Sequence, residues 1–130
     1  MAKKRVDVPT DAEIERYDYL SPMLDSALEE MREFAKKKQD GIVSATKIKL
    51  INRLLKDLKE ILDREASVGY LDMLDEQQLP QNSDAVLVLG QYRAALDSFK
   101  EKHHRYAYGG HRWVTKELLK EHGNEPEDEE

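Results

Sequence analysis

Between Ser44 and Leu62, the residues Ile48, Ile51, Leu55, Leu58 and Leu62 recur at alternating three- and four-residue intervals, which places all of them on one side of an α-helix. Leu50, Leu54 and Ile61 widen that stripe to one flank. A two-stranded coiled coil needs only a narrow seam, whereas a broad apolar stripe needs two neighbours. The segment therefore points to a helical bundle. Ser44 is a suitable N-cap, because its hydroxyl can accept a backbone N–H that the first turn leaves unpaired.

The rest of the chain supplies the neighbours. Thr10, Asp11, Ala12 and Glu13 form a capping box at the head of a short helix predicted over 11–20. Ser21 followed by Pro22 reads as a fresh start, since proline suits the first helical position. A second helix is then expected over 22–38, with Leu24, Ala27 or Leu28, Met31, and Phe34 or Ala35 on its stripe and Asp40-Gly41 as its stop. The heptad segment is predicted as a helix over 45–65. Ser67, Val68 and Gly69 interrupt it, and Tyr70 to Leu74 form a continuation or a further short helix before Leu79-Pro80. Asn82 or Ser83 caps a last long helix, 83–104, carrying Ala85, Val88 or Leu89, Tyr92, Ala95 or Leu96, and Phe99. The apolar run 85–89 also suits a buried strand, but the helical period continues to Phe99 and no obvious partner strand is present.

The expected fold is thus all-α, an antiparallel helical bundle of three long helices plus a short N-terminal helix. The domain is expected over 10–122, with 1–9 disordered or extended and 123–130 a disordered acidic tail. Near the C-terminus, Arg105 to Thr115 holds aromatic and β-branched residues on either side of Gly109-Gly110. Two readings stand there. One is a small β-hairpin turning at Gly109-Gly110, which sets Tyr108 opposite His111 and Tyr106 opposite Trp113. The other is an irregular turn before a short helix from Thr115 to His122.

Charge narrows the function classes. The chain has 130 residues, 37% of them charged, with 21 Lys+Arg against 27 Asp+Glu and a net charge of −6. Blocks of sign alternate along it: residues 7–33 carry −7, 34–59 carry +6, 60–84 carry −6 and 85–116 carry +4. Such alternation either fixes the pairing of helices within a bundle or offers basic patches to a partner. Zero Cys excludes disulfides, thiolate metal sites and a cysteine nucleophile. No apolar run is long enough to span a membrane, and the N-terminus lacks the apolar core of a signal peptide, so the expected location is cytoplasmic.

Chemistry has few footholds. His103, His104, His111 and His122 crowd into the last thirty residues, and Glu101 with His104 would share a helical face as a Glu-x-x-His pair, but this is half of a di-iron ligand set. No phosphate loop, nucleophile elbow or His-Glu-x-x-His motif occurs, so neither a catalytic set nor a cofactor, metal or small-molecule substrate is assigned. The informative surface residues are Lys36, Lys37, Lys47 and Arg53 in one basic block, and Arg93, Arg105, Tyr108, Arg112, Trp113 and Lys116 in the other. Tyr106 and Trp113 are expected to close one end of the bundle, with Arg105, Arg112 and Lys116 exposed. The leading expectation is a non-catalytic protein-interaction module that binds another protein or a second copy of itself. The alternative is a nucleic-acid-binding module using 36–59 and 93–116. In size, lack of Cys and helical patterning the chain is broadly similar to small bacterial or phage accessory proteins, a resemblance of architecture that carries no residue across.

Overall fold

The computed structural model describes residues 7–123. The expectations for 1–6 and 124–130 lie outside the described residues.

Helix α1 runs unbroken over Asp11–Lys37 with Pro22 inside it, so the separate segments expected at 11–20 and 22–38 are one helix. The capping box forms as read, with the Glu13 N–H donating to Thr10 Oγ1 at 3.2 Å and the Thr10 N–H to Glu13 Oε1 at 2.9 Å. Pro22 fails to restart the chain because Ile14, Tyr17, Leu20, Leu24, Leu28 and Met31 stay in phase across it, all buried on one face. The proline orphans only the carbonyl of Asp18, an exposed residue that water can serve. Burial of six side chains outweighs its intrinsic cost of about 3 kcal/mol.

Helix α2 occupies Ala45–Ile61, capped by Ser44 Oγ accepting the Lys47 N–H at 3.2 Å. It stops short of the expected 65. The chain turns through short 3-10 helices at Ala66–Tyr70 and Glu76–Gln78 before α3, Asn82–His103. The α3 cap is Gln81 rather than Asn82 or Ser83, and Asp84 Oδ2 accepts the Gln81 N–H at 2.8 Å. Residues 85–89 are helical, as the continuing period predicts.

The returning segment sets the topology. The Asn82 N–H donates to the Gly41 carbonyl at 2.7 Å and the Val43 N–H to that of Pro80 at 2.9 Å, so α3 begins beside the start of α2. At the far end Glu65, just past α2, meets His103, the last residue of α3. Helix α1 is therefore antiparallel to both others, while α2 and α3 run the same way. Leu71 and Leu74 are buried in the core between the returning segment and the bundle. Asn52 holds that segment with both halves of its amide, Nδ2 donating to the Leu74 carbonyl at 2.7 Å and Oδ1 accepting the Leu74 N–H at 2.9 Å. Tyr92 OH donates to the Asp72 carbonyl at 3.0 Å, and burial, helped by the Asp72 charge, pushes its phenol up to about 12. Leu55, Leu58, Leu96 and Phe99 lie at the centre, none more than 1% exposed.

At the C-terminus the hairpin forms rather than the irregular turn, and the short helix of the second reading follows it. Strands β1, His104–Ala107, and β2, Gly110–Trp113, form an antiparallel hairpin, and helix α4 follows at Lys116–His122. The register differs from the expected one: His104 faces Trp113 and Tyr106 faces His111. The turn is Tyr108-Gly109, with φ of 52° and 87°, so Gly110 belongs to the ladder. Both central residues with positive φ match the twist of a two-residue hairpin. Tyr108 occupies that conformation while its ring stacks on His122, centroids 3.7 Å apart. A small apolar cluster of Val8, Ala107 and Val114 lies against the same Tyr108 and the α4 leucines, and the Lys116 N–H donates to the Pro9 carbonyl at 2.9 Å.

Candidate functional site

An apolar groove of about 410 Å³ runs between α1 and α2. Leu20, Met23 and Ala27 form its α1 wall, and Leu50, Ile51 and Leu54 its α2 wall. Its ends are closed by interhelical contacts. At one, Arg16 Nη2 reaches Glu60 Oε1 at 3.0 Å and Asp57 Oδ1 at 3.7 Å; at the other, Lys47 Nζ sits 3.5 Å above the Phe34 ring. Between them the floor is open. Leu50 was expected inside the widened α2 stripe together with Leu54 and Ile61, yet Leu50 is 53% exposed while those two are buried. The reason is geometric: α1 covers one side of the stripe and the core the middle, and among the described residues no element covers the flank that carries Leu50. Met23, across the groove, is also 53% exposed.

The groove has one rim of each sign. Glu30 lines it from α1, with Glu33 one turn on. Arg53 lines it from α2, flanked by Lys49 and Lys56. Both carboxylates of α2, Asp57 and Glu60, are engaged by Arg16, whereas Lys49, Arg53 and Lys56 are exposed and have no ion-pair partner among the described residues.

The other sequence candidates are distributed as follows. Lys36 pairs weakly with Glu33 at 3.4 Å, and Lys37 is exposed at the end of α1. Arg93 does not join the C-terminal patch. Its guanidinium ties α3 to α1, donating to Asp25 Oδ1 at 2.8 Å, Ser21 Oγ at 3.2 Å and Asp97 Oδ1 at 2.8 Å. Burial alone would lower its pKa, but these carboxylates raise it, so the charge is held in place within the molecule. Trp113 is half-buried, edge-on to Tyr17 at 4.9 Å and tilted against Phe99 at 5.9 Å. Tyr106, expected to close the bundle, is instead 38% exposed, because the observed register pairs it with exposed His111 on the outer half of the hairpin. Arg105 and Arg112 are half-buried rather than fully exposed, and Lys116 is exposed. Arg112 folds back on its own strand, so closely that a Cβ at Gly110 would lie 2.7 Å from its guanidinium.

One histidine expectation changes, and another histidine proves to be buried. Helix α3 ends at His103, so His104 enters β1 with its ring against Trp113 and does not share a helical face with Glu101. His103 itself is 3% exposed, with Nε2 at 2.9 Å from Glu65 Oε2. Nothing in the sequence links residues so far apart. Among the described residues no three His, Asp or Glu side chains converge on a metal-sized site, and no helix is long and apolar enough to cross a membrane. No protein-family model, curated protein or solved structure matches this chain.

Proposed function

We propose that this chain is a non-catalytic protein-interaction module, an accessory or regulatory subunit of a larger cytoplasmic assembly, that docks another polypeptide in the α1–α2 groove. The observation that carries this reading is the open apolar floor between α1 and α2, with Met23 and Leu50 half-exposed at its centre. Fully burying a leucine or methionine contributes about 1.5–3 kcal/mol, so covering the exposed half of each adds about 1 kcal/mol apiece. Paired walls from two helices suit an amphipathic helical surface laid along them. The rims of opposite sign would orient such a partner and exclude mismatched ones. A phosphate-binding reading has less support, because Arg93 is held by Asp25 and Asp97 and the exposed bases of α2 flank an apolar wall rather than a continuous basic face.

The test is a photo-crosslinking phenylalanine analogue placed at Leu50 and, as control, at Leu87, which is 64% exposed on α3. In the native extract the probe at Leu50 should yield a discrete protein adduct that Leu87 does not. No adduct at Leu50, or the same products from both positions, contradicts the reading.

A further inference from the structure

The sign of charge on the two rims says which occupant the groove fits. We infer that the groove is occupied by a second copy of this chain, the two copies related by a two-fold axis lying along the groove. This rests on the reading of the groove as a docking surface.

Two identical faces can meet isologously with the axis either along the helices or across them. An axis across them lays α1 on the other copy's α1, acid against acid, and α2 on α2, base against base. An axis along them lays each α1 on the other copy's α2. Glu30 and Glu33 of one copy then oppose the Lys49, Arg53 and Lys56 rim of the other, twice, and the apolar floors meet in the middle. Arg53 and Lys56 are available for this because Arg16 has already taken Asp57 and Glu60, the carboxylates one turn further along α2, while Lys49 lies at the outer edge of the rim, where it also borders Asp75 and Glu76. The face is therefore self-complementary in one orientation and self-repelling in the other.

Its size sets the strength. Helix α2 has 17 residues. At 1.5 Å per residue it is about 25 Å long, and a face two helix diameters wide buries on the order of 1,000 Å² in total, near the lower limit for a specific interface. The dimer should be concentration-dependent and should weaken as salt screens the rims.

Sedimentation equilibrium on the full chain tests this. The wild-type chain should pass from 15.1 kDa toward twice that mass as its concentration rises. Leu50→Glu, and independently Met23→Glu, should remain monomeric with unchanged helical circular dichroism, since both positions are half-exposed in the monomer. Reversing one rim, as E30K/E33K or as K49E/R53E, should weaken the dimer by about tenfold or more, because each sets like charge against like. All four substitutions in one chain restore opposite signs across the interface and should restore the dimer. A wild-type chain that stays monomeric at every concentration overturns the second copy; a Leu50 adduct of another mass would then leave the docking reading standing, and no adduct would remove both. A dimer indifferent to Leu50→Glu, or one that the fourfold reversal does not restore, overturns the proposed axis.

Discussion

His103 Nε2 lies 2.9 Å from Glu65 Oε2, and this contact joins the end of α3 to the first turn after α2. Lys102 Nζ reaches the other oxygen of the same carboxylate at 3.7 Å, and the Phe99 ring meets the imidazole edge-on. Burial lowers the His103 pKa below its ordinary 6.5; Glu65 pulls the other way without reversing it, and Lys102 and Arg64 add to the lowering. The unfolded chain thus takes up this proton first. Stability is fully present above pH 6.5 and is lost as pH falls through the folded pKa. His103→Gln can still donate to Glu65 but cannot titrate. Urea unfolding at pH 7.5 and at pH 5 should show a smaller acid loss in this variant than in the wild type. Parallel losses would refute the assignment. Glu13 contributes in both proteins: burial raises its pKa, but bonds from Arg64 and the Thr10 N–H bring it below the carboxylate norm, so its stabilisation also fades with acid.

Pro22 interrupts the hydrogen-bond ladder of α1 on its wet side. Pro22→Ala restores an N–H for the Asp18 carbonyl and removes the ring clash, so the variant should be more stable, by up to about 3 kcal/mol. Denaturant midpoints measure this directly. An unchanged or lower midpoint would mean that the packing of α1, including the Ser21 contact with Arg93, depends on the proline itself.

Asn52 satisfies both backbone groups of Leu74. Asn52→Ala leaves that N–H and carbonyl unpaired beside the core, which costs about 1–3 kcal/mol for each group that water cannot reach. The cost should concentrate in the segment between α2 and α3. Hydrogen exchange should therefore quicken at Leu74 more than at Leu24 in the middle of α1, and a uniform change across both would argue against the clasp.

These contacts also show what could be read without coordinates. Thr10 with Glu13 and Ser44 with Lys47 are local devices, complete within one turn, and they form as their spacing predicts. Ser21-Pro22 is local too, but there the local signal loses to a stripe that stays in register over the whole length of α1. At Tyr108 to Gly110 two adjacent glycines permit two turn placements, and alternation along the strand does not choose between them. The observed placement puts Trp113 against Tyr17 and Phe99, residues far away in sequence. Glu65 and His103 meet only because the returning segment brings α3 alongside α2, a topology that no periodicity encodes. Leu50 is the most instructive case. The width of the α2 stripe signals that a second neighbour is needed, but not whether that neighbour belongs to the same chain.

The most direct measurement is a methyl spectrum of the isotopically labelled protein, followed over a dilution series in buffer and then in the native extract. If the α1–α2 groove is the associating surface, the Met23 and Leu50 methyl signals shift or broaden on association. Those of Leu79 and Leu87, which are 62% and 64% exposed elsewhere on the molecule, stay in place. Unmoved signals from Met23 and Leu50 under both conditions, or changes confined to Leu79 and Leu87, would contradict the account.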